Sequence, residues 1–284
     1  VSQQLKRVES RIGMPLVTRA GRGIRLTDAG EVLARHAGVV LDALDEAAGE
    51  LSDLSGLRSG QVRLSAFPSA SSTIVPGLIQ AMGAEHAGVQ FTYLEAEPPA
   101  AVASVRDGVS DIAIAFHYPA DRNDPFEQSA DGLVVHRLAR DDLLVLVPEG
   151  HRALQHASAR PDDGAIDHAT AASIDLAELR SENWIAGCPR CRSHLLDSCA
   201  RSGFAPTIAF ETDNFVAVMS MVAAGLGVAL LPTLARAASP IPPRVVALPS
   251  AGGDHRMIVA VTRPGADQIP AVGETLRLLR EVVA

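Results

Sequence analysis

The sequence has little cysteine: 3 residues in 284, too few for a disulfide framework, and an odd number that internal pairing cannot exhaust. It shows no basic stretch followed by an apolar run and a small-residue cleavage site, so nothing marks it for export and the cytoplasm is the expected compartment. Long uncharged runs are scarce. Phe215 to Ala235 is nominally long enough to span a bilayer, but Gly225 and Gly227 break it into an apolar helix and a short strand, Val228 to Leu231, closed by Pro232; a membrane span is excluded. No internal repeat recurs at a fixed period. His117, His136, His151 and His156 are scattered over strands and loops with no Ser or Cys nucleophile pattern beside them, so they read as surface or cleft-edge residues and the chain as a non-enzyme. Positive charge is also in deficit, at a net −8.

What is present corrects the impression left by that last number. Residues 1–36 hold Lys6, Arg7, Arg11, Arg19, Arg22, Arg25 and Arg35 against Glu9, Asp28 and Glu31, a local +4 that leaves −12 on the rest. A basic head on an acidic body can still attract phosphate, because the local field decides. Ser2 to Arg11 places Leu5, Val8 and Ile12 at helical spacing and leaves Ser2, Gln3, Gln4, Lys6 and Arg7 facing outward, with Gly13 as the stop. Thr18 to Leu26 then reads as a hairpin carrying Arg19, Arg22 and Arg25, and Thr27 as the N-cap of a new helix with Asp28 and Glu31 in its first turn. A helix with donors for base edges, beside an arginine-bearing hairpin for the backbone, has the layout of a winged helix-turn-helix on double-stranded DNA.

The following helix runs to about Leu54 and carries Leu33, Ala37, Val40, Leu44, Ala47, Leu51 and Leu54 at alternating spacings of 4 and 3. Two helices can share such a stripe as a coiled coil. Its flanking Asp42, Asp45, Glu46, Glu50 and Asp53 are expected to be solvated, and Ser55 to Gly60 reads as a linker. From Gln61 onward short apolar strands alternate with helices, the pattern of an α/β sheet with helical crossovers. Strands are predicted at Val62–Phe67, Val89–Leu94, Ile112–Phe116, Leu143–Val147, Trp184–Ala186, Thr207–Phe210, Val228–Leu231 and Met257–Val261. Helices are predicted at Thr73–Met82, Ala100–Asp107, Cys191–Arg201, Asn214–Ala224 and Ala271–Val283, with loops at Pro119–Gly132 and Ala157–Ala172.

The run from Ser2 to Glu31, SQQLKRVESRIGMPLVTRAGRGIRLTDAGE, resembles the recognition helix, wing and linker-helix start of the LysR-type transcriptional regulators. Downstream, Gly203-Phe-Ala-Pro206, Val222-Ala-Ala-Gly-Leu-Gly-Val-Ala-Leu-Leu-Pro232, Asp111-Ile-Ala-Ile114 and Leu143-Leu-Val-Leu-Val-Pro148 are similar to that family's later motifs, so the resemblance covers essentially the whole chain. Family members carry two further helices before the recognition helix, and the sequence opens inside it, so an N-terminally truncated head is expected. The resemblance implies a partial winged helix-turn-helix over 1–27, a linker and dimerisation helix over 28–57, and an effector-binding domain over 58–284. That domain would be two-lobed and like periplasmic binding proteins, lobe I being 61–138 with 245–284 and lobe II 139–244.

The resemblance further implies a small-molecule effector between the lobes. Ser69 matches the family's effector-contacting hydroxyl, within Phe67-Pro-Ser-Ala-Ser-Ser72, which adds Ala70 and Ser71; the alternative is a hydroxyl that only caps a helix. Cys188 and Arg190 lie in the corresponding turn of the other lobe, Ala186 to Arg192, and a guanidinium in the cleft would favour an anionic effector. Pro98 stands where the family has a threonine contact. Cys188, Cys191, His194 and Cys199 have the spacing C-x2-C-x2-H-x4-C, which fits no common zinc module; structural cysteines, a thiol sensor and a metal site all stay open. No cofactor or metal is expected. The function read from the whole is a sequence-specific DNA-binding regulator acting as a homodimer or homotetramer, with RNA polymerase as a candidate partner. Its alternative is a solute-binding sensor that acts without DNA.

Overall fold

The computed structural model describes residues 2–20, 23–53, 60–121, 124–155, 158–159 and 172–283. Expectations for Arg22, for residues 54–59 of the linker, for His156 and for the side chains of Ser2, Gln3, Arg19 and Leu51 lie outside the described residues.

Helix α1 (Ser2–Ile12) ends at Gly13, whose N–H reaches the Glu9 carbonyl at 2.8 Å with a φ of 76° that a side chain would oppose. The Glu9 carboxylate bonds the Leu16 and Val17 amides at 2.8 and 3.3 Å and so fixes the hairpin against the helix. Strands β1 (Val17–Ala20) and β2 (Gly23–Leu26) pair antiparallel, Val17 opposite Leu26. Thr27 caps α2 (Asp28–Asp53) by accepting the Gly30 N–H at 3.1 Å, and donates to the Pro15 carbonyl at 2.7 Å. Gly30 lies directly on the Leu16 carbonyl, where any Cβ would collide. The sequence LTDAG is therefore a cap followed by a close approach.

Asp42 and Asp45 of α2 are not simply solvated, which corrects the sequence expectation. Arg263 binds Asp42 at 2.7 Å, and Arg63 reaches Asp45 at 3.4 Å and Asp42 at 3.8 Å. Both arginines also face Asp111, at 3.6 Å for Arg263 and 2.5 Å for Arg63. Gly38 and Gly49, on the same helical face as these aspartates, press against Asp107 and Pro270. The stripe through Val40 and Leu44 points the opposite way and is 59% and 61% exposed. The stalk thus moors one face to the body and leaves Val40, Leu44 and Ala47 of its heptad stripe exposed, while Leu33 and Ala37 are half-buried.

The body comprises β3 (Gly60–Ala66), α3 (Pro68–Ser71), α4 (Ile74–Glu85), β4 (Val89–Glu95), α5 (Pro98–Arg106), β5 (Ile112–His117), α6 (Phe126–Ser129) and β6 (Val134–Pro148). Next come β7 (Ser158–Ala159), β8 (Ala172–Ser173), β9 (Asn183–Ala186), α7 (Pro189–Arg201), β10 (Thr207–Glu211), α8 (Phe215–Ala223) and β11 (Ala229–Pro232). The chain closes with α9 (Thr233–Ala238), β12 (Val245–Pro249), β13 (His255–Thr262) and α10 (Pro270–Val283).

The first lobe is the run β4-β3-β5-β13-β6, with β3, β4 and β5 parallel and β13 antiparallel to both neighbours. Ile112, Ile114 and Phe116 of β5 fill the side covered by α4 and α10, whereas Ala113 and Ala115 admit the close approach of α5. Strand β6 is long enough to serve both lobes. Its start, to Asp142, pairs with β13, and Leu143 to Pro148 pairs with β11 on one edge and β12 on the other. Leu144 and Leu146 pack towards α8 and α9, Val145 and Val147 towards Trp184, Leu195 and Cys199, which explains the unbroken apolar run. Two elements the sequence reading did not resolve, the first half of β6 and β12, are those that connect the lobes. Because β12 pairs with β6 in the second lobe, the chain returns to the first lobe only by His255, later than Val245.

Candidate functional site

Both lobes present a strand-to-helix turn to a shared cavity of about 60 Å³. The first lobe contributes Phe67, Pro68, Ser69, Glu97 and Phe116, and the second Gly187, Cys188, Cys191, Asp213, Phe215, Val218 and Leu230. Arg256, from β13, is the cation at its wall. It is 2% exposed, bonds Asp141 through Nε and Nη2 at 2.9 and 2.8 Å, donates to Ser69 Oγ at 2.8 Å, and stacks 4.7 and 4.4 Å from the Phe67 and Phe116 centroids. Burial works against its charge, but Asp141 and its hydrogen bond outweigh that and keep the guanidinium more firmly protonated than usual. Asp141 also takes the Thr233 hydroxyl at 2.6 Å and the Leu234 amide at 3.0 Å, so its capacity is filled.

Glu97 precedes α5 without capping it through its side chain, and its Oε2 is buried with no hydrogen-bond partner among the described residues. Burial, reinforced by the Cys191 sulfur, pushes its carboxyl up to about 7. Cys188 and Cys191 open α7 with their sulfurs 3.2 Å apart, the Cys188 thiol donating to Cys191. That bond, opposed by burial and helped by Arg256 and the Tyr118 hydroxyl, lowers the Cys191 thiol to about 6, while the same bond holds the Cys188 thiol well above its ordinary value.

The lobes also touch directly beside the cavity. The Tyr118 hydroxyl reaches Cys191 Sγ at 3.4 Å, and its ring stacks on His194 with centroids 4.0 Å apart. His194 Nδ1 lies 2.8 Å from Asp121, and Arg190 Nη2 donates to Asp124 at 2.5 Å.

Of the residues singled out from the sequence, Ser69 and Cys188 line the cavity. Ala70 does not: it is buried in the first lobe's core. Ser71 turns back to the Phe67 carbonyl at 2.9 Å and to the Tyr93 hydroxyl. Arg190 is 8% exposed and 5.7 Å from the Phe116 centroid but outside the cavity lining, because the first turn of α7 directs it to Asp124 in the opposite lobe; among the described residues its Nε and Nη1 have no hydrogen-bond partner. The cysteine and histidine spacing does not close into one cluster. His194 is engaged by Asp121 and Ser198, and Cys199 is buried against Trp184 and Val145 in the second lobe's core. Among the described residues the group that could converge on a cation is Glu85, His86 and Glu274, far along the sequence from this turn. Sequence reasoning missed Glu97, Tyr118, Asp141 and Arg256. The one available signal was the single arginine in the apolar run His255 to Thr262. His117 and His151 are half-buried against Phe126 and near Glu182, and His136 bonds Thr262.

On the head, Gln4, Lys6, Arg7 and Arg25 are exposed, as are Val8, Ser10 and Arg11 of α1. Among the described residues no helix is long and apolar enough to cross a membrane.

Comparison with known proteins places these features. The LysR substrate binding domain matches residues 55–284, and the bacterial regulatory helix-turn-helix protein of the lysR family matches residues 1–31. The chain is 28% identical over 281 residues to the probable HTH-type transcriptional regulator LrrA of Synechococcus elongatus, covering 99% of this chain and 86% of that one. It is 25% identical over 235 residues to the transcriptional dual regulator GltC of Bacillus subtilis, covering 82% and 70%. Among solved structures it resembles a full-length OxyR variant from Pseudomonas aeruginosa, at a TM-score of 0.69 and 19% identity over 99% of this chain and 84% of that one. It also resembles full-length CbnR in complex with its target DNA, at 0.61 and 16% over 99% and 88%; at such identities the likeness is one of fold. With its helix-turn-helix match at the basic head and its substrate-binding match across both lobes, the chain belongs to the LysR family of bacterial transcriptional regulators.

Proposed function

We propose that this regulator reads duplex DNA through Gln4, Lys6, Arg7 and Arg25, together with Ser2, Gln3, Arg19 and Arg22, and takes a small, mainly apolar effector in the inter-lobe cavity. The observation that carries the effector class is the state of its charges. Arg256 is matched by Asp141 and so offers an anion no free cation, burial leaves Glu97 about half protonated at pH 7, and the Cys191 sulfur is held by the Cys188 and Tyr118 hydrogen bonds, so the remaining walls offer aromatic and aliphatic surface with Ser69 as a hydrogen-bonding point. A cavity of about 60 Å³ is also small beside the roughly 150 Å³ that holds a benzene molecule. An effector of that size or larger either extends through the open mouth of the cavity or parts the lobes, the latter at the cost of the Tyr118–Cys191, His194–Asp121 and Arg190–Asp124 contacts. A ligand that prefers the parted state shifts the population and, through the stalk, the placement of paired heads. Pairing of two copies along Val40 and Leu44 and contact with RNA polymerase belong to the same proposal.

A second reading has one specific support. The two nitrogens of buried Arg190 that have no partner among the described residues could take a carboxylate that displaces Asp124. Thermal-shift screening separates the two: stabilisation by neutral apolar compounds that survives Arg190→Ala supports the first, and stabilisation by carboxylates that is lost in this variant supports the second. For DNA, selection from random duplexes at low salt by the full-length protein should enrich a two-fold symmetric site. Binding without enrichment would leave the solute-binding alternative in its place.

A further inference from the structure

The cavity wall carries two thiols that reversible binding of an apolar effector leaves unused. We propose that Cys188 and Cys191 form a hydroperoxide-reactive dithiol, which closes to a disulfide and removes the sulfur that Tyr118 holds across the lobe boundary. Both residues line the cavity, so a small oxidant that enters it meets them. Their sulfurs stand 3.2 Å apart, and a disulfide needs about 2.05 Å, so roughly 1 Å of closure completes the bond. A tetrahedral zinc would instead spread the same sulfurs to about 3.8 Å and require two further ligands. His194 is already held by Asp121 and Ser198, so it is not free to be one of them. An electrophile that alkylates would need one thiol. A second thiol already in contact is what a two-electron oxidant uses.

The roles follow from the hydrogen bonds. Cys191 accepts from both the Cys188 thiol and the Tyr118 hydroxyl, which stabilises its thiolate and makes it the nucleophile. The thiolate attacks the outer oxygen of the hydroperoxide and the O–O bond breaks. Cys191 becomes a sulfenic acid, and the departing alkoxide or hydroxide takes the proton of the Glu97 carboxyl to leave as an alcohol or water. The Cys188 sulfur then attacks the Cys191 sulfur; hydroxide leaves as water with the Cys188 proton, and the disulfide remains. The two thiols lose two electrons, and the peroxide is reduced by two. Cys199 is excluded, since it is buried in the second lobe's core and burial pushes its thiol up to about 12.

The site shares the cavity assigned above to the effector, and only its consequence for regulation rests on that reading; the thiol chemistry is read without DNA or effector. The reduced full-length protein is treated with one equivalent of hydrogen peroxide or of tert-butyl hydroperoxide, and free thiols are counted by alkylation and mass spectrometry. Loss of two of the three thiols, with the peptides bearing Cys188 and Cys191 joined and Cys199 free, is expected; the faster of the two oxidants identifies the source. Cys191→Ser should keep both remaining thiols, and Cys188→Ser should halt at a sulfenic acid on Cys191 that dimedone traps. Three intact thiols under excess peroxide, oxidation of Cys199 first, or bridges between chains would overturn the assignment. Faster amide exchange at Tyr118 after oxidation is the expected structural response, and unchanged exchange would refute the link to the lobe boundary.

Discussion

Glu97 should tie the stability of this protein to pH in a direction opposite to ordinary acid denaturation. Its carboxyl is raised from 4.5 to about 7, chiefly by burial, so between those values the folded chain holds a proton that the unfolded chain has released. Stability contributed by this group is therefore present at low pH and lost as pH rises through 7. At about 1.36 kcal/mol per unit, a shift of this size is worth on the order of 3 kcal/mol in full, and about 2.5 kcal/mol between roughly pH 5 and pH 8. Cys191 acts in the opposite sense, because its depressed thiol adds stability as pH rises from about 6 towards 9. The two windows overlap, so the wild-type profile alone does not isolate Glu97. Comparison with Glu97→Gln does: urea unfolding under reducing conditions should show the variant gaining about 2.5 kcal/mol on the wild type from pH 5 to pH 8. A difference that stays constant across this range would refute the claim that Glu97 is folded in with its proton.

Three other outcomes follow from the packing. Asp141→Ala strands the buried Arg256 and should cost about 3–5 kcal/mol in urea unfolding, whereas replacing the pair together by Asp141→Leu and Arg256→Met should come close to wild type; a mild single variant would mean that Arg256 finds water. Gly30→Ala forces a methyl onto the Leu16 carbonyl and should destabilise the head by on the order of 1–3 kcal/mol, seen as faster amide exchange at Leu16 and Val17, with normal protection refuting the close approach. Leu44→Asp puts a charge into the exposed seam and should weaken self-association at least tenfold by sedimentation; an unchanged sedimentation profile would show that copies do not meet there.

The elements that were legible in the sequence are those governed by local rules. Gly13, Thr27 and the paired Gly225 and Gly227 mark a stop, a cap and a break between helix and strand, and the structure places a helix end, an N-cap and the turn between α8 and β11 at these positions. Apolar runs such as Leu143 to Val147 announced strands buried on both faces. Strand β12 was not legible, since its half-buried residues carry no alternation, nor was the first half of β6, where Val134 and Val135 are exposed and the charged Asp141 is buried, so hydropathy does not follow burial.

The site was legible only where it is built from one turn. Ser69 and Cys188 could be placed because the family resemblance implies an effector at the strand-to-helix turns that hold them. Sequence alone determined the basic head, the stalk stripe and the α/β alternation, because periodicity, capping and turn chemistry act over a few residues; the division into two lobes was legible only through the family resemblance. The tertiary structure decided which cation reaches the cavity, for Arg256 and Asp141 are 115 residues apart and Arg190 is claimed by a loop of the other lobe. It also decided which face of the stalk is free, because Asp42 and Asp45 read as solvated charge until Arg63 and Arg263 fold against them. Pairing between distant charges depends on where the backbone brings them, and no local pattern encodes that distance.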